Sequence, residues 1–254
     1  MMQAGPMLLP TGSACVAVVV PCLNEAEPIG GVVREILAQQ VDALVVVDNG
    51  STDDTAGQAA AAGAKVVREP VRGYGRACAA GVAAVPLDTD IVCFLDGDGS
   101  DVPAFLAAIV GPVAAGDADF VMGSRLRGRR EAGSMTPQQL VAGWLAGLLL
   151  RLAYGVRFTD MSPFRAIRLD RLRSLGMSEQ TFGWNLEMQM KVAAAGWRIL
   201  EVPVDHRRRR GGVSKVSGNL VAGLKAAWTI TRTFMRLAAS LRTHPRIEAG
   251  ERSK

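Results

Sequence analysis

FLDGDGSD, residues 94–101, closes an apolar run with three carboxylates in six residues. Like charges this close repel, and a solvated loop does not need them. Two carboxylates separated by one glycine, Asp96 and Asp98, can share a hard divalent cation that cancels the repulsion. Taken alone, Asp-Gly-Asp-Gly also reads as a plain turn or a calcium loop. Its place at the end of a buried strand inside an alternating α/β chain favours the shared cation.

The setting is read from periodicity. CVAVVVP (15–21) is a β-branched run closed by proline, a buried strand. PIGGVVREILAQQ (28–40) has helical apolar spacing, ALVVVDNG (43–50) is a second strand, and TDDTAGQAAAAGA (52–64) a second helix that Ser51 or Thr52 can cap. KVVREP (65–70), GRACAAGVAAV (75–85) and DIVCFLD (90–96) come next as strand, helix, strand. This alternation implies βαβ crossovers and a parallel sheet buried on both faces. Beyond residue 100 the spacing predicts helices over 102–116, 137–154 and 184–196, and strands over 118–125 and 198–206. LRGRREAGSM (126–135) is a basic loop between them. There is no internal repeat.

Composition narrows the classes. The 254 residues are 49% hydrophobic, enough for a sizeable core. Cys15, Cys22, Cys78 and Cys93 show no CxxC spacing, which points to a reducing compartment and no zinc site. No Lys or Arg precedes Arg34, so no signal peptide is expected. Net charge is +5, but residues 198–254 carry thirteen Lys/Arg against four Asp/Glu. A tail this basic seeks phosphate. RRRR (207–210) has no interleaved aromatics, so nucleic acid is not expected as a partner.

No uninterrupted apolar run reaches the ~18 residues of a membrane span. The stretch 140–156 is broken by Arg151. In 220–241, Lys225, Arg232 and Arg236 share one helical face, and Ile230, Phe234, Leu237 and Leu241 the opposite one. Two readings stand for this helix: a basic amphipathic helix on an anionic membrane, or a surface helix packed on its own domain. Trp144, Leu148 and Leu152 read as helix packing, or as a face guiding an apolar chain.

Ligands of open parallel sheets gather at the carboxyl ends of the strands. PCLNE (21–25), DNGS (48–51), DGDGSD (96–101) and GSR (123–125) all fall there, as one constellation. The first suits a flat base. Asp48 and Asn49 of the second offer side chains to base or ribose edges. RGYGRA (72–77) reads as a glycine turn permitting close backbone approach. His206 and His244 are too isolated to suggest ligands.

In this order and spacing, VVVPCLNEAEPI, VVVDNGSTDDT, FLDGDGSDVP and MGSR resemble the family-2 glycosyltransferases. TDMSPFRAIRLDRLRSLGM, TFGWNLEMQMKVAAAGWRILEVPV and RRRRGGVSKVSG resemble the branch of dolichyl- and polyprenyl-phosphate mannose or glucose synthases. The likeness spans roughly residues 14–230. It implies a GT-A fold, a Rossmann-like, mostly parallel sheet flanked by helices. The expected divisions are a tail (1–13), the GT-A domain (14–218), a basic amphipathic helix (219–242) and a loose tail (243–254).

By the resemblance, Pro21, Leu23 and Glu25 frame base and ribose, and Val47 and Asn49, beside Asp48, contact the base. Asp96, Gly97 and Asp98 match the metal-binding Asp-x-Asp, for Mg2+ or Mn2+. Arg125 matches an arginine reaching donor and acceptor phosphates. Arg209, six residues before Lys215 of the Gly-x-Ser-Lys end, matches a second.

The implied reaction moves a hexose from a nucleotide sugar, GDP-mannose or UDP-glucose, to a polyprenyl or dolichyl phosphate, inverting the anomeric carbon. A phosphate acceptor is already anionic and needs no general base. The expected place is peripheral, on the cytoplasmic face of an anionic membrane, held by lipid or by a membrane-protein partner. Two alternatives stand beside it: a soluble or hydroxyl acceptor with Glu187 as base, and a non-catalytic nucleotide-sugar-binding protein.

Overall fold

The computed structural model describes residues 14–211, 228 and 230–239. β1 (Val16–Cys22), β2 (Ala43–Asp48), β3 (Lys65–Arg68) and β4 (Ile91–Phe94) pair in parallel. α1 (Ala26–Leu37), α2 (Thr55–Ala61) and α3 (Tyr74–Ala84) are their crossovers. The second half adds α4 (Leu106–Ala114), β5 (Phe120–Ser124), α5 (Pro137–Tyr154), β6 (Arg165–Arg168), α6 (Leu169–Ser174), α7 (Trp184–Ala194) and β7 (Ile199–Pro203). A short 3-10 turn, Pro103–Phe105, leads into α4.

The seven strands lie in the order β3-β2-β1-β4-β6-β5-β7. Only β6 runs against its neighbours, β4 and β5. The carboxyl ends of the other six therefore share one edge.

Alternation along β1 builds both layers. Val16, Val18, Val20 and Cys22 pack with Ile29, Val33, Ile36 and Val110 from α1 and α4. Ala17 and Val19 pack on the opposite face with Ala77, Leu150, Leu186 and Met190 from α3, α5 and α7. Each such buried aliphatic contributes on the order of 1.5–3 kcal/mol. α5 starts at a capping box between Thr136 and Gln139 with Pro137 at its first turn, and ends at Gly155 with φ 73°.

Two features differ from expectation, and two more bear on readings left open above. β6 and α6 carry no alternation or periodicity strong enough to announce them. Asp54, not Ser51 or Thr52, precedes α2; Ser51 accepts from Asn24 N at 2.9 Å, and Thr52 N donates to Asn24 Oδ1 at 2.8 Å.

The other two concern apolar faces. Phe234 and Leu237 are buried in the core, with Phe234 against Tyr154 of α5, so the helical segment 230–239 packs on its own domain. Its Arg236 pairs with Glu179 and its Arg232 lies over Trp228. Conversely, α5 exposes Trp144 (65%) and Leu152 (75%), with Val141 and Leu148, where packing was one expectation.

Candidate functional site

The loops at the shared edge are knitted together by their own polar groups. Asn49 is buried. Its Nδ2 donates to Glu69 O (3.0 Å) and Val71 O (2.8 Å), and its Oδ1 accepts from Gly73 N at 2.7 Å. All these groups are occupied in pinning the 69–73 turn. Asp48 Oδ1 accepts from Ser51 N at 2.9 Å.

Pro21 and Val47 are core residues paired in register on β1 and β2. Both are buried at the ends of their strands, where they set the turns that follow. Leu23 is half-buried in the turn after β1. The glycines of the 72–77 turn act as expected: a Cβ on Gly75 would lie 2.1 Å from Glu179 O.

The carboxylate turn is tightly built. A Cβ on Gly97 would lie 2.3 Å from Cys22 Sγ, and Gly99 holds φ at +76°, so both positions require glycine. Asp98 Oδ1 accepts from Ser100 N (2.9 Å) and Ser100 Oγ (2.6 Å). Asp96 Oδ1 accepts from the hydroxyl of half-buried Tyr74 at 3.1 Å, and Asp96 N donates to Asp101 Oδ2 at 3.2 Å.

Burial first, then Asp98 and Asp101, push the Asp96 carboxyl up to about 8. Burial also raises Asp101, to about 6. Asp101 Oδ1 and His206 Nδ1 are buried without hydrogen-bond partners among the described residues, 3.8 Å apart. Burial, then Arg125, lowers His206 to about 4, so it supplies no counter-charge.

A divalent cation fits this crowding, and Asp96 and Asp98 are the residues that would hold it. Among the described residues no three His, Cys, Asp or Glu side chains form a ready-made cage. An open pair of carboxylates suits a cation that also takes oxygens from a ligand.

Arg125, at the end of β5, is nearly buried and meets Asp160 in a two-pronged pair. Nε and Nη2 donate at 2.8 Å each, and its backbone N donates to the same carboxylate at 2.9 Å. Burial would raise the Asp160 carboxyl, but Arg125 outweighs it and holds it below its ordinary value. Arg125 is thus built into the wall beside the turn, with Nη1 as its remaining edge.

Arg209 is held differently. Its Nη2 donates to Glu25 Oε1 and lies 3.5 Å from Asp98 Oδ2. Its neighbours are engaged as well: Arg207 and Arg210 with Glu35, and Arg208 with Glu131 and Ala132 O. RRRR is therefore a strap across the turn and not a solvated basic face. Lys215 and Lys225 lie outside the described residues.

Glu187 is fully buried. It accepts from Ser178 N, Ser178 Oγ and Glu179 N between 2.8 and 3.1 Å, and pairs with Lys191 at 2.9 Å. A carboxylate so occupied anchors the 178–179 loop and is not poised as a base. Tyr74, Asp101, Asp160 and His206 are site residues that sequence reasoning did not select. Among them only Asp101 carried a signal, as the third acid of FLDGDGSD.

Residues 17–176 match the family model described as Glycosyl transferase family 2. An uncharacterized glycosyltransferase of Mycobacterium tuberculosis is 42% identical over 206 residues, covering 81% of this chain and 91% of that protein. An undecaprenyl-phosphate mannosyltransferase of Micrococcus luteus is 29% identical over 246 residues, covering 87% and 99%. The structure of glucosyl-3-phosphoglycerate synthase from M. tuberculosis with Mn2+, UDP-glucose and phosphoglyceric acid aligns at a TM-score of 0.68 and 26% identity. That alignment covers 89% of this chain and 80% of that one.

Proposed function

The chain belongs to glycosyl transferase family 2, and on that premise we propose that it moves a hexose from a nucleotide sugar to a polyprenyl phosphate. The observation that carries the lipid acceptor is α5. This helix passes beside the Arg125–Asp160 pair: a Cβ on Gly143 would stand 3.9 Å from Asp160 Oδ1, in ordinary contact. Its outer side exposes Val141, Trp144, Leu148 and Leu152 to solvent. One helix thus joins the phosphate-handling corner to an apolar face that a prenyl chain or a membrane surface can cover. Among the described residues no helix is long and apolar enough to cross a membrane, so attachment through this face is peripheral.

Asp96 and Asp98 would hold Mg2+ or Mn2+, which neutralises a diphosphate leaving group when bound. Leu23 and Glu25 border the place for base and ribose. Arg209 leaves Glu25 and Asp98 for the phosphates, and Arg125, fixed by Asp160, keeps a positive wall beside them. The phosphate oxygen attacks directly, consistent with Glu187 being occupied elsewhere.

A phosphorylated soluble acceptor is the second reading, favoured by the fold likeness to the phosphoglyceric acid complex. The test is a screen of GDP-mannose and UDP-glucose against labelled prenyl phosphate and phosphoglyceric acid. Product on the lipid alone supports the first reading; product on phosphoglyceric acid alone overturns it. Trp144→Ser with Leu152→Ser should abolish flotation with anionic liposomes, and unchanged flotation would remove α5 from the membrane.

A further inference from the structure

Glu35 lies on α1, outside every motif. Its Oε2 accepts from Arg207 at 2.7 Å and its Oε1 from Arg210 at 2.6 Å, one oxygen for each arginine. The same two residues bond to the carboxylate turn through their backbone: Arg207 N to Ser100 O at 2.8 Å, Arg210 N to Asp98 O at 3.0 Å. The Arg210 stem crosses Gly99, where a Cβ would come within 3.2 Å of its Cγ and Cδ. The strap is therefore fixed on both sides of Arg209, the one arginine of the four that points at Glu25 and Asp98.

We propose that Glu35 is a positioning residue which, by holding Arg207 and Arg210, aims Arg209 into the gap between Glu25 and Asp98. Four consecutive guanidinium groups repel one another, and their partners sort them. Ala132 O takes the Arg208 guanidinium, Glu35 takes Arg207 and Arg210, and Arg209 is left facing the turn. Without Glu35 the charges beside Arg209 lose their carboxylate, leaving Arg207 its bond to Asp101 O and both residues their backbone bonds. Arg209 then no longer has one place. In that place it is a resident counter-ion for Asp98, so it competes with a metal until it is drawn off by phosphate.

This inference rests on reading Asp96 and Asp98 as a cation site, so the test uses the metal alone, without donor or acceptor. Mn2+ is titrated into the full chain and followed by electron paramagnetic resonance. Arg209→Met should bind Mn2+ about fivefold tighter, because a unit charge near Asp98 Oδ2 is gone. Glu35→Gln should shift Mn2+ affinity about twofold or more when Arg209 is present, and by less than half as much in the Arg209→Met background. A residue with a merely structural role gives equal shifts in both backgrounds, and that result overturns the proposal. If Glu35→Gln fails to fold, Arg207→Gln with Arg210→Gln breaks the same link from the other side and enters the same cycle. Absence of Mn2+ binding in the unaltered protein would instead remove the cation site, and this proposal with it.

Discussion

Arg125 and Arg209 stand on two sides of one carboxylate turn, and they are installed in opposite ways. Arg125 directly follows β5, is 11% exposed, and is clamped by the nearly inaccessible Asp160 through three hydrogen bonds. Arg209 belongs to a strap with no regular structure, is 23% exposed, and is held by ion pairs to groups that are themselves expected to meet ligand. A buried pair is costly to break because each partner would be left uncompensated. The Arg209 pairs are part-buried, but each is made through one guanidinium nitrogen to a carboxylate that ligand or metal would also contest, so another anion can take their place. The first arginine is part of the scaffold, and the second is a group that substrate can recruit.

The turn between them sets the largest expected effect. Asp98→Asn should abolish transfer at millimolar Mg2+ or Mn2+ while the melting temperature stays within about 2 °C of the unaltered protein. A folded variant with full metal-dependent activity would take the cation out of the comparison. Next comes Asp160→Asn, which strands the Arg125 charge. It should cost about 3–5 kcal/mol of stability, read as a fall of roughly 6–20 °C in Tm. A fall below about 2 °C would mean that Arg125 is not a scaffold group.

Arg209→Lys should show the reverse pattern, with Tm unchanged and transfer slowed roughly ten- to a hundredfold. That corresponds to about 1.4–2.7 kcal/mol of transition-state stabilisation, since lysine keeps the charge but loses the planar fork. Equal losses of Tm in the arginine and aspartate variants would erase the distinction. The smallest effect on turnover is expected from Glu187→Gln, which strands the Lys191 charge at a cost of about 3–5 kcal/mol of stability and changes rate by less than about threefold. Turnover lost in a well-folded Glu187→Gln protein would make the carboxylate a base and the acceptor a hydroxyl.

The half of the molecule that alternates was legible in the sequence. β1, β2 and β4 are β-branched runs closed by turn residues, and their carboxyl ends place the Asp96–Asp98 turn where open sheets bind ligands. β6, only four residues with arginine at both ends, offers no such period. Roles set by distant pairing were also hidden. Arg125 meets Asp160 across 35 positions, and Arg207 meets Glu35 across 172. Asn49 had the residue type for reading a base, but its amide matches three backbone groups of a neighbouring turn. Spacing reports which face a residue occupies; it does not report which partner arrives there from another part of the chain.

The antiparallel strand has a consequence for how the chain is made. β5 does not touch β4; it hydrogen-bonds to β6 and β7, both of which come later in the sequence. On a ribosome, β1 to β4 and their crossovers can close as soon as residue 94 has emerged, whereas β5 must wait for residues 165–168 before it has a place beside them. Until then the apolar strand Phe120–Ser124 has no edge to join, and that interval is when a nascent chain is most open to capture by chaperones or to aggregation.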